Sequence, residues 1–110
     1  MSLPVLDSQS AKKPLSYDPL INKFIYYHDI VSGKEKIIYP KSLSLTDKKL
    51  LIIERLKTGP DYTMQSISGH PYTRNDIIEA VRCGDEVGKM TLEAEISMLD
   101  DLLKRISENI

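Results

Sequence analysis

Residues 85–110 read DEVGKMTLEAEISMLDDLLKRISENI, and the placing of their aliphatic residues decides the fold. Leu92, Ile96, Leu99, Leu103, Ile106 and Ile110 recur at alternating four- and three-residue steps, a spacing that keeps one helix face apolar and, when sustained, builds a coiled-coil seam. A helix of about 25 residues rises roughly 37 Å. A body of this size needs less than that for its own core, so the far end is expected to meet a second chain. Val87, Met98 and Leu102 mark a neighbouring stripe, which stops where Arg105 and Asn109 take its place. Asp100 before Lys104 and Asp101 before Arg105 are acid-then-base pairs four apart, the pattern of an exposed opposite face. The six seam residues are therefore the expected protein interface of a homodimer, with a different protein as the alternative partner. The competing reading packs the seam on earlier helices of the same chain, since the pattern spans under three heptads.

Around this helix the composition is that of one ordinary domain: 110 residues, 41% hydrophobic and 28% charged, with no Trp and a single Phe, so that Leu and Ile must fill the core. The longest apolar run, Leu50 to Ile53, is far short of a bilayer span, and Met1-Ser2-Leu3-Pro4 lacks a secretory pattern. Cys83 is alone, which leaves no intrachain disulfide and suits a reducing cytoplasm. Charge is uneven. Residues 1–60 carry ten Lys and Arg against six Asp and Glu, and residues 85–110 carry three against seven. An acidic last helix argues against its touching phosphate directly.

Upstream, residues 1–19 mix Pro4, Pro14 and Pro19 with Ser, Gln and Lys and show no period, so they are expected to be a flexible tail, with an extended strap over the body as the alternative. A single domain then spans 20–110. Residues 22–28 and 36–39 are rich in Ile and aromatics and flank Ser32-Gly33, which predicts a β-hairpin closed by Pro40. Phe24, Tyr26, Tyr27 and Tyr39 would give it a secondary binding surface. Thr46 is the expected cap of a first helix, with Leu45 and Leu50 stapled across its start and Leu50, Ile53 and Leu56 facing inward. Gly59-Pro60 ends it, by a left-handed cap and a proline stop. Residues 61–72 read as loop with at most one helical turn near Met64 to Ile67. A second helix opens on Thr73 with Asp76 completing a capping box, buries Ile77, Ile78 and Val81, and ends at Gly84. Asp85 starts the last helix, unless Gly88 delays it to Thr91.

Chemistry-bearing groupings are few. His28 and Ser68-Gly69-His70-Pro71-Tyr72 hold both histidines, but no ligand spacing joins them to Cys83, and no strained turn or orienting acid makes Ser66 or Ser68 a nucleophile. The five glycines are scattered at turns and caps, not gathered in a phosphate loop. Lys23, Lys34, Lys36 and Lys41 beside the tyrosines make the hairpin basic, which fits solvated edge lysines better than base stacking. A helix-turn-helix would need residues 62–68 and 74–83 as its pair, with Arg74 and Arg82 cancelled by Asp76 and Glu79. The expectation is thus an α+β, mostly helical chain: an N-terminal β-hairpin, two short helices and a long C-terminal association helix near 85–110. Its expected function is that of a non-catalytic interaction or adaptor protein, without cofactor, metal or membrane, acting in the cytoplasm. The runner-up is a small dimeric DNA-binding regulator.

Overall fold

Pro14, Leu15, Ser16, Tyr17 and Asp18 are all buried, so the segment expected to trail as part of a tail is built into the protein. The computed structural model describes residues 12–59, 63–65 and 71–109. In chain order the elements are β1 (Ser16–Asp18), β2 (Lys23–Ile25), α1 (Tyr27–Val31), a 3-10 turn (Pro40–Ser42), α2 (Leu45–Thr58), β3 (Thr63–Gln65), β4 (Pro71–Thr73), α3 (Arg74–Cys83) and α4 (Glu86–Ser107). The fold is α+β with an N-terminal antiparallel hairpin and a long last helix.

That hairpin keeps the middle of the predicted first strand and pairs it with a different partner. β2 pairs backwards with β1, in the register Ser16 with Ile25, Tyr17 with Phe24 and Asp18 with Lys23. Its turn is held by local polar chemistry: the Leu20 N–H donates to Asp18 Oδ1 at 3.0 Å and the Tyr17 hydroxyl to Asn22 Oδ1 at 2.9 Å. Asn22 takes the left-handed backbone, φ 50°, which an Asn tolerates better than most residues. The predicted first strand ends at Ile25 because Asp29 turns the next residues into α1, accepting from the Tyr26 N–H at 3.2 Å. Residues 36–39 form no strand; they run alongside, with the Ile38 carbonyl accepting from the buried Ser16 hydroxyl.

Arg55 fixes the N-terminal strap to the helices. Its guanidinium donates to the Pro14 carbonyl at 2.8 Å, and its Nε faces Glu95 Oε2 at 3.4 Å. Burial lowers the Arg55 pKa while Glu95 opposes that shift, so the charge sits in a poorly solvated place with one counterion. Arg55→Leu keeps the bulk but leaves the Pro14 carbonyl and Glu95 without their partner. The expected loss is about 2 kcal/mol of stability, with faster proteolysis within residues 12–18. Unchanged cleavage in a limited-digestion time course would show that Leu15 and Tyr17 hold the strap unaided.

α2 begins one turn-phase earlier than expected. Ser44, not Thr46, caps it, accepting from the Asp47 N–H at 3.2 Å. The buried face is therefore Leu51, Ile52 and Arg55, with Ile53 and Leu56 at its margin, while Leu45 and Leu50 remain 60% and 43% exposed and form no buried staple. Four consecutive aliphatics at 50–53 satisfy more than one helical phase, and tertiary packing selects between them. Gly59 ends the helix in extended conformation, φ −75° and ψ 170°, where a left-handed cap was expected; Pro60 lies outside the described residues.

Where a loop or helical turn was expected, β3 pairs with β4, joining Thr63 with Thr73, Met64 with Tyr72 and Gln65 with Pro71. A strand at 63–65 removes the first helix that a helix-turn-helix would require. α3 follows the sequence reading closely. Thr73 Oγ1 accepts from the Asp76 N–H at 3.1 Å while Asp76 Oδ2 accepts from the Thr73 N–H at 2.9 Å, and Gly84 closes the helix at φ 76°. Asp85 Oδ1 then accepts from the Gly88 N–H at 2.8 Å and opens α4, which runs through Gly88 without a break.

The seam is the core of the single chain. Leu92, Ile96, Leu99, Leu103 and Ile106 are all buried, among Leu15, Tyr17, Ile25, Ile30, Leu43, Leu51, Ile52 and Val81 of the same molecule. The expected outward projection of the far end is overturned for these five; Ile110 lies outside the described residues. From the sequence the ridge looks uncovered because residues 12–19 read as tail and residues 40–43 show no packing signal. Asp100 is likewise not on an exposed face: it is buried and accepts from the Lys41 N–H at 2.9 Å, pinning the 3-10 turn to α4.

Candidate functional site

The N-terminal turn of α2 and the N-terminal half of α4 together border a groove. Leu45 stands at the first position of α2, beyond the last core residue facing it, which is why so large a side chain stays exposed. Across from it, Leu92 and Ile96 present the edge of the buried ridge. Together they line an open hollow of about 280 Å³ whose rim carries Lys48, Lys89 and Glu93. A second hollow of about 170 Å³ adjoins it, sharing Leu45, Lys89 and Leu92 and reaching Val81, Cys83 and Gly84 at the end of α3.

The rim is positively charged. Lys49 is occupied, donating to the Arg82 carbonyl at 3.2 Å and so satisfying one of the free carbonyls at the α3 terminus. The side chains of Lys48 and Lys89 have no hydrogen bond or ion pair among the described residues, and Glu93 is the one acid lining the hollow with them. The positive end of the α2 dipole lies at the same place. An aliphatic floor under two unengaged ammonium groups suits an apolar side chain flanked by carboxylates. At this volume the hollow takes one or two side chains, since small-molecule pockets run from about 300 Å³ upward.

The other candidate residues are dispersed. Phe24, Tyr27 and Tyr39 pack against the core, with Phe24 tilted on Tyr17 at a ring separation of 5.2 Å, and Tyr26 is half-buried. Burial raises the Tyr26 hydroxyl pKa, and Glu54 and Asp29 add to the shift. Phe24, Tyr27 and Tyr39 thus help to seat the N-terminal segments, and each of the four aromatics keeps part of its surface exposed. Lys23 is paired with Glu35 at 2.9 Å, which neutralises one of the hairpin lysines. His28 is exposed on α1, and His70 lies outside the described residues. Among the described residues no three His, Cys, Asp or Glu side chains gather closely enough to hold a metal ion. No helix among them is long and apolar enough to cross a membrane.

The groove has no plain signal in the sequence, because Leu45 reads there as one half of a staple across the helix start. Its available signal was an exposed-phase Leu followed at the next turn by Lys48 and Lys49. Comparison with known proteins gives no match to a family model, to a curated protein or to a solved structure, so the functional reading rests on this geometry.

Proposed function

We propose that this chain is a non-catalytic protein-interaction module that docks an apolar side chain from an acidic segment of its partner in the groove between α2 and α4. The observation that carries the reading is the aliphatic floor of Leu45, Leu92 and Ile96 lying beneath the unpaired Lys48 and Lys89. Burying one Leu or Phe side chain there is worth roughly 1.5–3 kcal/mol. The lysines add steering and choice of partner more than affinity. The exposed Cys83 thiol at the inner end suits a reducing compartment, and the cytoplasm is the proposed place of action.

The test uses a fluorescent peptide with a Leu-Phe pair between two runs of three Glu, titrated with the whole protein. Binding is expected to weaken about tenfold in the Lys48→Glu, Lys89→Glu double variant and to disappear in Leu45→Asp, whose exposed site leaves folding intact. The same peptide should slow alkylation of Cys83. Equal binding of a Lys-flanked peptide, or affinity indifferent to all three substitutions, would overturn the proposal.

A further inference from the structure

The face of α4 directly opposite the buried ridge is itself apolar at its middle. Met90 is 66% exposed and Met98 45%, and the exposed Ala94 lies between them, so three apolar residues at four-residue steps form a stripe on the solvent side. Asp101 marks its end. On one edge, which also carries Glu93, stand Glu86 and Lys104, eighteen residues apart, five complete helical turns and about 27 Å along the axis. Glu86 and Lys104 are both exposed, and neither side chain has a hydrogen bond or ion pair among the described residues.

We propose that the occupant of this face is a second copy of the chain, with the two α4 helices packed antiparallel about a two-fold axis near Ala94 and Glu95. The midpoint of Glu86 and Lys104 falls at residue 95, so antiparallel pairing sets Glu86 of each copy opposite Lys104 of the other, twice per dimer. Parallel pairing about an axis along the helices would carry the Glu86–Lys104 edge of one copy to the far side of the other, and both attractions would be lost. Ala94, being small, lets the helices approach and gives Met98 of the other copy a place to pack. A two-fold contact is isologous and closed, so association stops at the dimer. This surface is distinct from the groove, which lies round the helix beyond Lys89, and from the ridge, which is already covered. A single helix pair is a small interface, and a dissociation constant of about 100 µM or weaker is expected.

Sedimentation equilibrium from about 10 µM to about 1 mM reads the association. The natural chain should approach a dimer reversibly, and Met98→Asp should stay monomeric with unchanged circular dichroism. Glu86→Lys and Lys104→Glu should each weaken self-association about tenfold, because each sets like charges against one another at both ends. Mixing these two variants should restore dimer formation, since the mixed pair has attraction at both ends. In a Cys83→Ser background, Ala94→Cys should form a disulfide-linked dimer on mild oxidation and Ser107→Cys should not. A monomer at every concentration, a dimer indifferent to Met98→Asp, or a mixture no tighter than its components would overturn the inference.

Discussion

Leu99→Ala and Leu103→Ala are each expected to lower stability by about 3–4 kcal/mol, a large part of what a domain of this size possesses. Both side chains are 0% exposed, and both belong to the buried cluster that α4 shares with the N-terminal strap, α2 and α3. Truncation there removes transfer free energy and leaves a cavity that three packed elements cannot easily close. Urea unfolding monitored by circular dichroism measures the loss, with a lower midpoint at unchanged slope. A loss below about 1 kcal/mol for both would show that the ridge is not the core. The stronger variant, Leu99→Asp with Leu103→Asp, separates the two readings of the seam. An interface seam would yield a soluble helical monomer. A core ridge must bury two carboxylates without partners, and the chain is expected not to fold.

Gly88→Ala is the second large effect, about 3 kcal/mol, and its sign is what makes it informative. An added methyl on an exposed helical Gly normally stabilises by up to about 1 kcal/mol. Here a Cβ would lie 1.9 Å from the Ala80 carbonyl oxygen and 2.7 Å from the Val81 backbone nitrogen. These are backbone atoms of α3, which cannot rotate away, so the α3–α4 hairpin must open to admit one carbon. Gly84→Ala, at φ 76°, meets only the end of the Lys49 side chain and should cost about 1 kcal/mol through backbone strain alone. Thermal melts of the two variants side by side test the ordering. Equal losses at Gly84 and Gly88 would mean that α3 and α4 are held less tightly than the structure shows.

Local chemistry was legible wherever it acted within one turn. Thr73 with Asp76, Gly84 in the left-handed region and Asp85 at the head of α4 were read from residue types at fixed offsets, because a cap needs only its own neighbours. The aliphatic ridge of α4 was legible for the same reason. Pairing choices were not. β2 had two possible partner segments, and selecting 16–18 over 36–39 depended on α1 forming at once after Ile25 and on Ser16, Leu15 and Tyr17 having a place to be buried. The groove shared this difficulty, since the exposure of Leu45 follows from where the helix starts and from how α2 and α4 are placed in space.

The amino-acid order by itself determined that residues 74–83 form a helix opening at Thr73, that a long helix closes the chain from Asp85 or Thr91 onward, and that this last helix carries one continuous apolar face. It did so because hydrogen-bond caps and helical periodicity are short-range. Only the tertiary structure decided what that face touches: the ridge is covered by the chain's own strap, 3-10 turn and helices. A periodic aliphatic stripe specifies that burial must occur and carries no address for the surface that supplies it. Burial is non-directional, and its partner is settled by whichever distant segments pack most completely.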